Sequence, residues 1–306
     1  MDAPPSPTWP DDHTNSVVWK LHREIVLLGG WGRAILLQVA HPLVARGVAD
    51  HTSFRNGRGE AFRRLQRTLQ AMLTLTFGAP EEAEGVARII NGIHDRVHGT
   101  LSLSVGRFPA GTRYSAHDPA LLSWVHATLL DSFLLTYDLF VGPLTAVERD
   151  RYCEESCGIE SRLGIPPGTL PRSTAQLREY LDDKLSSGEV TVTDTARRLA
   201  SDILNPPGFV VARPLLALAR LPTIGLLPPA VRAGYGLSWS PRDDRALRAV
   251  AAVSRRLLPL LPDVLRYWPA ARAASARAQA RQVTVDTVRS RDQRPAGGPP
   301  SRSRWV

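Results

Sequence analysis

A chain of 306 residues with 43% hydrophobic and 22% charged positions is long enough to bury a substantial core and too apolar to stay unfolded. Its net charge of +9 is unevenly placed. From position 271 onward, Arg272, Arg277, Arg281, Arg289, Arg291, Arg294, Arg302 and Arg304 face only Asp286 and Asp292, so +6 of the +9 lies in the last stretch. With a mildly basic body that lacks a basic face interleaved with aromatics, a nucleic-acid-binding domain is set aside, and the tail reads as solvated or acid-seeking.

Cys153 and Cys157 are the only cysteines, four apart and not in a CxxC pair. Together with an N-terminus reading MDAPPSPTWPDDH, this points to a cytoplasmic chain without a secretory signal. No uncharged apolar run reaches the roughly 20 residues of a spanning helix, since Arg33 splits the richest candidate. Any membrane association would be peripheral, through weak contact of the basic tail with an anionic surface.

Residues 1–16 are proline- and aspartate-rich and read as a flexible N-terminus. From Val17 the apolar residues recur at helical spacing, which predicts an all-α fold: one multi-helix domain over 17–282, followed by a disordered basic tail over 283–306. The segment HREIVLLGGWGRAILLQVAHPLVARGV predicts two helical pieces meeting near Gly29, Gly30 and Gly32, with Pro42 breaking or kinking the second. These glycines are no phosphate loop, because no strand precedes them and their spacing is not GxGxxG. The next helix runs over about 59–77, with Phe62, Leu65, Leu69, Met72 and Leu73 as its buried stripe.

After the Gly78-Ala79-Pro80 break comes a helix with Val86, Ile89, Ile90, Ile93 and Val97 on its apolar face and His94 and His98 along the same side. Asp118 and Pro119 mark the start of a long helix that carries His126 on the face of Leu122, Leu129, Leu130 and Phe133. Further helices are expected at 145–162, 173–186, 190–204 and 241–266, with turns at 164–171 and 205–208. The proline-broken segment LARLPTIGLLPPAVRAGYGLSW reads as buried loop.

The candidate chemistry lies in two i, i+4 pairs. His94 and His98 would offer imidazole nitrogen, and Arg64 with Thr68 would offer a guanidinium and a hydroxyl, the parts of a haem or metal site. The sequence HDRVH is also similar to a zincin helix with Asp95 in the place of the glutamate base, so zinc-dependent hydrolysis stays open, with no third ligand assigned. Ordinary core histidines and a salt-bridged arginine would give the same spacing.

Several segments in succession shift that balance. LLGGWGRAILLQVAHPLVARGVADH, FRRLQRTLQAMLTLTFG, IHDRVHG, HDPALLSWVHATLLDSFLLTYDLF and the LGIP turn before LPRSTAQLREYL resemble the MpaB-like/rubber oxygenase (latex-clearing protein) catalytic domain over about 17–210. The resemblance implies a globin-like helical core that holds one b-type haem through an axial histidine. It places Arg64 and Thr68 on the distal side, puts Arg67 where the family has lysine, makes His98, thirty residues past Thr68, the iron ligand, and leaves His126 supporting the pocket with Trp124 in place of a family threonine.

The expected activity is a haem b-dependent oxygenase that uses dioxygen on a hydrophobic alkene, isoprenoid or lipid in character. A non-catalytic haem- or lipid-binding helical protein is the alternative that the same residues allow.

Overall fold

Helix α2 (Leu28–Ala40) is the axis of the molecule in a computed structural model that describes residues 16–51, 60–205 and 213–292. Before it, α1 (Val17–His22) and a 3-10 turn, Ile25–Leu27, lead the chain in. After it come α3 (Pro42–His51), α4 (Glu60–Phe77) and α5 (Pro80–His94), then a two-stranded antiparallel ladder of β1 (His98–Thr100) and β2 (Arg113–Ser115). The long α6 (Pro119–Phe140) is followed by α7 (Ala146–Ser156), α8 (Ile159–Leu163), α9 (Thr174–Ser186), α10 (Asp194–Leu204) and α11 (Arg213–Gly225). Finally α12 (Pro229–Gly234), α13 (Pro241–Leu257), α14 (Asp263–Arg266) and α15 (Pro269–Asp292) complete an all-α domain.

One core joins residues from α1, α2, α6, α7, α9, α10, α11 and α12, including Leu21, Leu36, Leu37, Trp124, Phe133, Tyr152, Leu177 and Leu199. Each fully buried leucine among them contributes about 1.5–3 kcal/mol. The helix α2 runs unbroken through the three glycines, so the expected break there is corrected: it falls earlier, in the 3-10 turn, and later, at His41. The reason is close packing. A Cβ on Gly30 would stand 2.5 Å from Thr136 Oγ1 and 3.0 Å from the Ser132 carbonyl, and one on Gly32 would collide with Thr223. The missing side chains let α6 and α11 approach the α2 backbone.

Arg33, which splits the apolar run, is buried with its donors satisfied: Nε donates to the Leu226 carbonyl at 2.6 Å, one Nη to Ser132 Oγ at 2.7 Å and the other to Asp131 at 2.6 Å. It thereby ties α2 to α6 and to the end of α11. The segment expected as buried loop is instead largely helix, with Pro222 inside α11 and Ile224, Leu227, Val231 and Tyr235 in the core.

Several local signals act as the sequence implies. Asp118 caps α6 by accepting from Ala120 N at 2.9 Å with Pro119 at the first position, and Thr193 caps α10. The helix expected over 241–266 stops at Leu257, because Pro259 and Pro262 turn it into a 3-10 turn and the single turn α14. At the C-terminus, α15 continues to Asp292, past the expected boundary at 283, and residues 293–306 lie outside the described set. Likewise residues 1–15 of the expected flexible N-terminus, and 206–208 of the expected 205–208 turn, lie outside it.

Candidate functional site

The ladder after α5 changes the histidine geometry. The helix ends at His94, Asp95 closes it, and His98 opens β1 opposite Ser115, so the two histidines do not share a helix face. Packing explains the switch. Tyr114, opposite Gly99, is buried with Leu43, Leu101 and Leu121, and a Cβ on Gly99 would meet the Tyr114 hydroxyl at 2.5 Å. Burying that tyrosine under α3 draws residues 98–100 into a strand. The zincin reading of HDRVH loses its helix for the same reason.

The expected site histidines therefore fall into three neighbourhoods. His98 is exposed, and its carbonyl is hydrogen bonded to His51 Nε2 at 3.0 Å. His94 is partly buried with its ring edge-to-face on His117 at 5.7 Å, and His117 Nε2 lies 2.7 Å from Asp95. Its Nδ1 is buried without a hydrogen-bond partner among the described residues, and burial, with His117 nearby, lowers its pKa and keeps the ring neutral. His126, on α6, likewise has an unpartnered buried Nε2, and burial pushes its pKa down to about 4.

His126 interacts electrostatically with a residue that the sequence reading did not single out, His22. Thr76 Oγ1 donates to the Met72 carbonyl at 2.9 Å, so it accepts from His22 Nδ1 at 3.2 Å; His22 Nε2 is then the acceptor for the Tyr152 hydroxyl at 2.9 Å. Burial above all, and His126 beside it, bring the His22 pKa to about 4, in keeping with this neutral tautomer. The ring lines a cavity of about 30 Å³ with Trp31, Leu69, Met72, Phe133 and Trp268. No motif marks His22; only its place one turn after buried Val18 hints that it points inward.

Thr68, Met72 and Thr76 succeed one another at four-residue steps on α4, so the row that contains Thr68 leads to the His22 cavity. Thr68 and Arg67 are themselves exposed. Position 64 heads the same row by register, while its side chain, like those of Phe62 and Leu65, lies outside the described residues. On α5 the buried positions are Ala83 and Ala87, whereas Ile89 and Ile93 are exposed; alanines permit the close approach to α4 that isoleucines would prevent.

Only Gly78 and Ala79 separate α4 from α5, and the two helices pack on each other. A larger groove of about 730 Å³ between α4, α5 and α15 is lined by residues such as Leu73, Phe77, Val86 and Arg277, with neither histidine nor cysteine. It offers no imidazole or thiolate, and its one carboxylate, Glu82, accepts from Ala79 N. Among the described residues no three His, Cys, Asp or Glu side chains form a cluster able to hold a metal ion. A haem iron held by one protein nitrogen needs no such cluster, and the unpartnered nitrogens of His94 and His126 suit that role.

The thiols of Cys153 and Cys157 are buried, and burial pushes both pKa values up to about 12. Cys157 Sγ donates to the Cys153 carbonyl at 3.3 Å, so these are core residues with no nucleophilic role. No helix among the described residues is long and apolar enough to cross a membrane.

Neither the curated proteins nor the solved structures yield a match to this chain. A family model does: the catalytic domain described as ER-bound oxygenase mpaB/B'/rubber oxygenase matches residues 19–256, from α1 to the last turn of α13. Covering more than three quarters of the sequence and every element that positions the histidines, this match shows that the chain belongs to the mpaB/rubber oxygenase catalytic-domain family.

Proposed function

We propose that the protein is a haem b-dependent oxygenase acting with dioxygen on a hydrophobic alkene, isoprenoid or lipid in character, and that His94 supplies the nitrogen that holds the iron. The observation that carries this reading is the buried, unpartnered Nδ1 of His94, set against the exposed ring of His98. When bound, the haem supplies the dioxygen chemistry that amino-acid side chains lack.

Burial holds His94 neutral, so its nitrogen lone pair is available at neutral pH. His126 is the less suitable of the two: its neighbour His22 lines a cavity of about 30 Å³, far below the roughly 300–1,000 Å³ of ligand sites, whereas His94 is only partly buried at a helix end. His126 then shapes the pocket from α6. The row headed by Arg64 and Thr68 would donate hydrogen bonds to negative charge that develops during oxygen chemistry, and Arg67 would add positive charge nearby. Trp31, Leu69, Met72 and Phe133 close the inner end of that row with apolar side chains, which keep water from it.

Purified protein should be coloured, or become so on haemin addition, and should consume oxygen when given isoprenoid alkenes. A protein that takes up haem but leaves oxygen untouched with every alkene tried is a haem-binding protein and not an oxygenase.

A further inference from the structure

Beyond the stretch matched by the family, the corner between α13 and α15 displays apolar side chains to solvent. Leu257, Leu260, Leu261, Val264 and Leu265 are all exposed, Leu260 to 77% and Leu265 to 62%, in the sequence RRLLPLLPDVL. Every residue of 255–265 except Leu258 is exposed, so this is an outward corner and not a groove. Exposed aliphatic patches of this kind mark binding surfaces.

The corner is firmly mounted. Glu24, fully buried, receives Arg266 in a two-pronged ion pair with contacts of 2.6 to 3.1 Å, and the Arg23 guanidinium lies 4.4 Å above the Tyr267 ring. Trp268 turns inward to the cluster of Trp19 and Phe77. The aromatic residues that usually anchor protein–protein contacts thus lie off the exposed side, whose apolar side chains are all aliphatic.

Charge identifies the occupant. From Arg242 to Arg266 six arginines stand with three acids, Asp243, Asp244 and Asp263. Arg266 is neutralised by Glu24 and Arg248 by Asp244, which leaves Arg255 and Arg256 beside the corner with Asp263 within it, and Arg255 donates to the Leu139 and Asp138 carbonyls without losing its charge. We infer that this corner docks the protein on an anionic lipid bilayer, its leucines entering the headgroup boundary and its arginines meeting lipid phosphate and carboxylate. The surface would bring the domain to the phase where hydrophobic molecules collect, whether or not it carries haem.

The test is flotation of the full chain with vesicles of phosphatidylcholine, with and without phosphatidylserine. Binding is expected only with phosphatidylserine and should weaken with salt. L260S/L265S should reduce it roughly ten-fold or more, and R256Q roughly five-fold, with unchanged melting because none of these side chains is packed. Deleting 293–306 should leave most of the binding in place.

Absence of wild-type binding, or a serine variant that floats as wild type does, overturns the inference. Loss of binding on tail deletion alone would transfer the role to the tail. Concentration-dependent self-association in sedimentation, abolished by L260S/L265S, would show a second copy of the chain to be the occupant and overturn it equally.

Discussion

His94 and His98 are four residues apart, yet one closes a helix with a buried, unpartnered ring nitrogen and the other opens a strand with its ring in solvent. The difference underlies the proposal that His94 holds the cofactor. It also separates the proposed ligand from the His22–His126 pair, whose protonation has its own consequence.

His22, His41 and His126 each have a folded-state pKa of about 4, against about 6.5 when exposed, with burial the leading cause. The unfolded chain therefore binds more protons between these values, and stability falls as pH drops from 6.5 to 4, by at most about 3 kcal/mol for each ring. Urea midpoints across this range should show the loss, and H22Q should flatten the slope. A midpoint independent of pH between 4 and 6.5 would contradict the burial of neutral rings.

Gly30→Ala should destabilise by about 1–3 kcal/mol, because the added methyl meets Thr136 Oγ1 and the Ser132 carbonyl. Gly92→Ala, on α5 with open space around the added Cβ, should instead stabilise by about 0.5–1 kcal/mol. Thermal melts of the two variants should move in opposite directions.

Asp131→Asn leaves the Arg33 guanidinium buried without its carboxylate and should cost about 3 kcal/mol or more. Arg33→Lys should not rescue the fold, since one ammonium cannot reach Leu226 O, Ser132 Oγ and Asp131 with the guanidinium's geometry. Denaturant titration of both variants measures this.

Cys153 and Cys157 should resist Ellman's reagent in the native protein and react on unfolding, because burial keeps both as thiols. Rapid reaction of either under native conditions would show that α7 opens on its own.

The helical fold and most of its caps were legible because 3.6-residue periodicity and signals such as Asp118-Pro119 act locally. The continuity of α2 through its glycines was not, since it depends on Thr136 and Thr223 approaching from distant segments. Strands of three residues are too short for alternation to show, so nothing in the sequence separates β1 from a continuing helix at His98. On α5 only Val86 and Ile90 of the apolar stripe pack beside Ala83 and Ala87, while Ile89 and Ile93 face solvent. His22 carries no motif, and its partners Thr76 and Tyr152 lie 54 and 130 residues away.

Haem content of purified H94A and H98A, read from the Soret absorbance per protein after haemin reconstitution, tests the central claim most directly. Loss of haem, or a large spectral shift, in H94A, with H98A close to wild type, is the predicted result. A wild-type chain that refuses haem, or loss in H98A with retention in H94A, would contradict it.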